Sequence, residues 1–203
     1  MSQAFAAKRK KKPSDSLSDK RIRLLDAALE LFETRGYDGV AVPEIAAKAG
    51  VATGTVYLYF ADKAALVNAL YRHWKTQYNA IVLAPVPPAL VARDKFTTYW
   101  QRMTDFARAY PLATRFMDLH HHGSYLDAES IALGRFYRDT AEAFIRDAHA
   151  AGAIRDIDPA LIVALMWGAA TGLTKFAGQG ALDFNLDAAV EMEDALWRAI
   201  AND

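Results

Sequence analysis

Apolar residues recur at helical spacing along most of the chain, and no stretch alternates apolar and polar positions as a half-buried strand would. The first stripe is Ile22, Leu25, Ala28, Leu29 and Phe32, which predicts a helix from Ser18 or Asp19 to Thr34, stopped at Gly36. Two short helices are predicted next, Glu44 to Ala49 and Thr53 to Tyr59. Gly50 takes the positive φ of the sharp turn between them, and Val51 plugs the corner. The second of these is too short to stand alone, so its neighbours must hold it. Its small residues Thr53, Gly54 and Thr55 lie at the N-terminal end, and its aromatics Tyr57, Tyr59 and Phe60 at the other. That layout is a helix-turn-helix whose second helix presents its first residues to base edges. The head core is expected to be Ile22, Leu25, Leu29, Phe32, Val42, Ile45, Val51, Val56 and Phe60, with Tyr37 packed beneath it.

A long helix from Asp62, its cap, to about Leu83 carries Leu66, Leu70, Trp74 and Tyr78 on one face, broadened by Val67, Tyr71 and Ile81. Pro85, Pro87 and Pro88 break the pattern. The remainder reads as helices over about 89–110, 112–122, 126–151, 158–177 and 185–200, with Asp158-Pro159 as a strong start signal. The expected architecture is therefore all-α, about nine helices in all. A basic tail (1–17), a helix-turn-helix head (18–65) and a helical body (66–203) divide it.

Residues 20–70 carry a specific resemblance. Gly36-Tyr37, Ile45-Ala46, Ala49-Gly50-Val51, Gly54-Thr55-Val56-Tyr57, Tyr59-Phe60, Lys63 and Leu66 stand at the spacings of the DNA-binding head of the tetracycline-repressor (TetR) family. The chain departs from that family's pattern at Ala41 and Ala52, where Thr and Ser are frequent caps, and at Leu58, where His is frequent. Pro43 and Glu44 offset the first missing cap, and Thr53 is expected to cap the reading helix in place of Ala52. The resemblance implies that Tyr57, Tyr59 and Lys63 clamp phosphates, with one of the two tyrosines mainly structural. From their chemistry, Thr55 is the leading base-contacting residue, with Thr53 and Gly54 beside it. Lys63 at a helix start is disfavoured by the helix dipole unless a phosphate binds there.

Composition sharpens this picture. The 203 residues carry no net charge, yet positions 1–63 hold 11 Lys+Arg against 8 Asp+Glu, and the rest holds 13 against 16. A positive head on an acidic body suits a protein that points one end at phosphate. Lys8 to Lys12 form a basic run that reads either as a solvated tail or as a groove or phosphate arm. The chain has no cysteine, so disulfide and thiolate chemistry are excluded. The basic N-terminus runs into PSDSLSDK rather than an apolar segment, and the longest apolar run, Ala160 to Ala170, is short for a membrane span. A cytoplasmic protein with no membrane partner is expected.

In the last two helices Ala164, Gly168 and Gly172 form a small-residue stripe at i, i+4 and i+8. With Met192, Leu196, Trp197 and Ile200 they are expected to form a two-fold dimer seam. One head reads too few base pairs for a specific regulator, so a homodimer on a palindromic operator is the physical expectation. The body is rich in aromatics and methionine. Trp100, Met103, Phe106, Phe116 and Met117 are candidates for an apolar effector cavity. So are His120, Phe136, Phe144, Trp167 and Thr171, with Tyr125, Tyr137 and Phe176 in the same aromatic set. The alternative for each is a filled core.

His120, His121 and His122 are adjacent, so they do not share a helical face, and no metal is expected. No cofactor is expected either. Phosphate-cradling loops, nucleophile elbows and dinucleotide fingerprints are absent from the sequence, which speaks against an enzyme. The favoured reading is a ligand-responsive transcriptional regulator, usually a repressor, of double-stranded DNA. The alternative is a sequence-blind helical adaptor or small-molecule carrier that keeps the head fold.

Overall fold

A computed structural model describes residues 17–119 and 125–202. Among the described residues the chain forms nine helices and no strand. The first four are α1 (Leu17–Arg35), α2 (Val42–Lys48), α3 (Thr53–Val56) and α4 (Lys63–Val82). The body continues through α5 (Ala92–Ala109), α6 (Pro111–Leu119), α7 (Ala128–Ala150), α8 (Pro159–Gly178) and α9 (Leu186–Ile200). The basic tail falls almost wholly outside the described residues, and His120, His121 and His122 fall outside them too.

Local chemistry sets most helix ends. Asp62 caps α4 through Ala65 N–H at 2.7 Å, and Asn185 caps α9 through Ala188 N–H at 3.0 Å. Asp158 accepts from Ala160 N–H at 2.9 Å, with Pro159 in the first turn of α8. Ala41 has no side chain to cap α2. Glu44 instead reaches back and accepts from Ala41 N–H at 2.8 Å, while also pairing with Arg35 at 2.8 Å. The Ala41 N–H first, and Arg35 second, hold the Glu44 carboxyl below its usual pKa. At α3 the expectation of a Thr53 cap is corrected: the N-cap is Ala52 in extended conformation, and Thr53 is the first helical residue. The helix ends at Val56, and Tyr57 to Tyr59 continue as a turn, with Phe60 N–H bonded to Val56 O at 3.0 Å.

Two apolar cores run through the molecule. The first joins α1, α2 and α3 to the N-terminal half of α4, and also takes in Phe106, Phe116 and Met117 from α5 and α6. The second lies among α5, α7, α8 and α9 around Phe96, Trp100, Ile145 and Ile162. Ile22, expected in the head core, is 40% exposed, because it stands at the edge of the arc centred on Ala28 and Phe32.

Helix α4 changes partner along its length. Near its start Leu66, Val67 and Leu70 face the head core. Two turns later the buried residues are Lys75, Asn79 and Val82, turned by more than a quarter of the helix circumference toward the body. Ile81 keeps the direction of the first stripe and so emerges from the core, 40% exposed.

Candidate functional site

The reading end is built on turn chemistry. Gly50 sits at φ +68°, in the left-handed region, and lets α2 turn sharply into α3. Val56 and Phe60 anchor α3 in the head core. Thr53 and Thr55 are half-buried and Gly54 is exposed, with open space where a Cβ would stand. The two tyrosines differ. Tyr57 is 53% exposed, whereas Tyr59 packs on the head core with its hydroxyl shielded from solvent. Leu58, beside them, is the most outward large apolar side chain of the head at 80% exposure. Its position off the family pattern was the available sequence signal for it. Lys63 lies with Nζ 4.2 Å from the centre of the Tyr37 ring. The ring face offsets the repulsion of the helix N-terminus.

The head is tied to the body by specific polar contacts. Asn68, buried in α4, donates to Tyr125 O at 2.7 Å and accepts from Asp127 N–H at 2.9 Å. Arg72 pairs with Asp127 at 2.7 Å, and that contact first, with the Ser130 N–H second, lowers the Asp127 carboxyl to about 2. Tyr125 stacks on Tyr37 with ring centres 4.4 Å apart, and burial pushes its hydroxyl up to about 12.

The body contains a small, narrow apolar cavity. Val82 and Leu83 form its wall at the end of α4, and Tyr99 and Met103 form the α5 side. Tyr137, Ala141 and Phe144 come from α7, and Val163 and Met166 from α8. Of the residues expected to converge there, Met103, Tyr137 and Phe144 do. Trp100 is fully buried beside it and donates from Nε1 to Ala189 O at 2.7 Å. Phe106, Phe116 and Met117 are corrected to the head-side core, because α6 folds back against α1. Phe136 is 58% exposed on the outer face of α7, and Phe176 is 54% exposed on α8. Trp167 stands behind the cavity against Lys75, and the Thr171 hydroxyl is buried without a hydrogen-bond partner among the described residues. His120 lies outside the described residues.

Sequence reasoning did not anticipate that Lys75 and Asn79 are buried. Each is a polar residue in a helix with a strong apolar stripe on another face, and polar residues off such a stripe read as solvated.

The expected seam also divides. Ala164 and Gly168 are exposed on α8 and Gly172 is half-buried, with open space around both glycines. Leu196 and Ile200 are corrected to the chain's own second core. Met192 and Trp197 pack against that core, Trp197 with its ring 5.3 Å from Phe96. The exposed large apolar residues of α9 are Leu186 and Val190. Neighbouring Glu193 is buried and accepts from Arg93 and from Thr97, at 2.6 Å for the latter.

Comparison with known proteins agrees with this layout. The model described as "Bacterial regulatory proteins, tetR family" matches residues 24–70, and "Tetracyclin repressor-like, C-terminal domain" matches residues 72–202. The chain belongs to the TetR family. It is a transcriptional regulator with a helix-turn-helix DNA-binding domain, and regulators of this family are non-enzymatic. Over 182 residues the chain is 29% identical to the HTH-type transcriptional regulator RutR of Escherichia coli, covering 86% of this chain and 82% of that one. It is 33% identical over 76 residues to the fatty acid metabolism regulator protein of Bacillus subtilis, a match spanning 37% of this chain and 39% of that relative. A TetR family transcription regulator from Marinobacter aquaeolei superposes with a TM-score of 0.80 at 20% identity, over 91% of this chain and 96% of that one, which shows the shared fold.

Proposed function

We propose that this TetR-family regulator is a homodimeric repressor that binds a palindromic operator and responds to a small apolar or aromatic effector in the body. Its place of action is the cytoplasm. The carrying observation is the reach of α4. Lys63 stands at its first turn, a few residues after the reading helix, and Val82 and Leu83 at its other end form part of the cavity wall. A helix of 20 residues spans about 30 Å, so one rigid element touches both the effector space and the DNA-facing end. An effector changes DNA affinity to the extent that it prefers one position of that helix.

In this reading Thr53, Gly54 and Thr55 meet base edges, and Tyr57 and Lys63 hold phosphates, with Tyr59 supporting them from beneath. The dimer seam uses the exposed stripe of α8, namely Leu161, Ala164, Leu165, Gly168 and Gly172, with Leu186 and Val190 of α9. Helix α8 is apolar enough, at 20 residues, to cross a bilayer by length and composition, yet 28% of that window is buried in a single chain. Packing against a second copy covers the rest. Two heads would then meet major grooves about 34–36 Å apart.

The test is to recover bound fragments from sheared genomic DNA at two salt concentrations and to measure the protein's mass in solution. A palindrome retained at high salt by a dimer is the expected result. Random, salt-labile DNA recovered by a monomer would refute the reading.

A further inference from the structure

We propose that Tyr125, a body residue that precedes α7, is a positioning residue for DNA binding: its ring fixes the Tyr37 ring on which the Lys63 ammonium rests. The inference rests on the phosphate-holding role proposed above for Lys63 and brings to it a residue from outside the helix-turn-helix.

Lys63 is half-buried in the first turn of α4, and its Nζ lies 4.2 Å from the centre of the Tyr37 ring. A lysine side chain loses rotamer freedom when a phosphate holds it. A seat that already orders the side chain reduces that cost of binding. An aromatic face is such a seat, since it attracts the cation while the ammonium keeps three N–H donors to share. The seat works only while the ring itself stays in place.

Tyr37 follows Gly36 in the turn that ends α1 and is half-buried. Two rings hold it. Phe32 of α1, fully buried, is tilted against it with ring centres 5.8 Å apart. Tyr125 stacks on it with centres 4.4 Å apart and planes 19° from parallel. A near-parallel stack restrains the tilt of its partner. One half of the lysine's seat is therefore built by the head and the other half by the body.

Tyr125 is itself held by bonds that spare its ring. Its carbonyl accepts from Asn68 Nδ2 at 2.7 Å, and Asp127 N–H donates to Asn68 Oδ1 at 2.9 Å. Asn68 stands on α4 with Lys63, so the segment that carries the ring is tied to the helix that carries the ammonium. Asp127 then caps α7 through Ser130 N–H at 2.8 Å, and α7 supplies Tyr137, Ala141 and Phe144 to the cavity wall. Were the Tyr125 ring only packing between head and body, its loss would lower stability and leave DNA binding by the folded protein unchanged.

The experiment measures binding of the full chain to a random-sequence duplex by fluorescence anisotropy across a salt series, as a double-mutant cycle. Tyr125→Met removes the ring face and keeps an apolar side chain of similar reach. It should weaken binding about threefold or more at low salt and flatten the slope of log affinity against log salt. In a Lys63→Ala background the same replacement should change affinity by less than about twofold. Tyr125→Phe keeps the stack and should bind as the parent does. Thermal melts report that each variant is folded at the assay temperature, and Tyr125→Leu replaces Tyr125→Met in the cycle if the latter is not. Three results overturn the inference and leave the lysine's phosphate role standing: a folded Tyr125→Met or Tyr125→Leu that binds unchanged, a loss as large with Lys63→Ala as without it, or an equal loss with Tyr125→Phe. No effect of Lys63→Ala on binding overturns both.

Discussion

The Arg115 guanidinium donates from Nε to the Glu33 carboxylate at 2.6 Å, joining α6 of the body to α1 of the head. Both side chains are mostly shielded, 26% and 15% exposed, so the pair is stronger than an open surface bridge. Glu33→Gln keeps the shape and removes the charge, leaving Arg115 without its counter-ion. The expected loss is about 1–3 kcal/mol of unfolding free energy by urea titration. No change in the midpoint would show that the pair behaves like an exposed one.

At the reading helix the roles separate by salt dependence. Thr55→Ala should lower discrimination between operator and random DNA by about tenfold with little change in salt slope. Lys63→Ala should weaken both DNAs alike and reduce the slope of log affinity against log salt by about one per subunit. Fluorescence anisotropy across a salt series reads both quantities. Equal loss of preference in the two variants would refute this division.

The α8 seam has a clean probe in Gly168. A Cβ there meets nothing within 4 Å in a single chain, so Gly168→Leu is tolerated by the protomer. Replacing helical glycine even favours the helix, by up to about 1 kcal/mol. If two copies pack closely across this stripe, the added side chain splits the dimer while the far-ultraviolet spectrum stays helical. Sedimentation of an unchanged dimer would move the seam elsewhere.

His73 makes stability depend on pH. Burial first, and Arg21 second, push its pKa below the usual value, with Asp26 opposing them. Gln77 Nε2 lies 2.7 Å from His73 Nε2, and an amide nitrogen donates, so the imidazole accepts as a neutral ring. The unfolded chain takes up a proton as pH falls through about 6.5, and the folded chain resists doing so. Stability is therefore present above that pH and declines below it, by less than about 1 kcal/mol for a half-buried group. Urea midpoints at pH 7.5 and 5.5 should differ in that direction, and His73→Asn should flatten the difference.

Helical periods, caps and turn glycines are written in local sequence. Asp62 and Asp158 cap the helices they were expected to cap, Asn185 rather than Asp187 proves to be the cap of the last one, and Gly36 and Gly50 adopt the positive φ their turns require. The spacing from Gly36 to Leu66 carried the family resemblance for the same reason, since a helix-turn-helix is held by residues close along the chain. What tertiary structure alone decided is which neighbour each face meets. Leu196 and Ile200 carry the same periodicity whether they fill their own core or a seam, and Phe116 looks the same beside α1 as it would in a cavity. Lys75 and Asn79 show this most directly. Helix α4 serves two cores, and its buried arc turns as the partner changes, so two polar residues become interior while Ile81 comes out. A period names the residues that share a face; the packing of α7 against α4 decides that this face is interior.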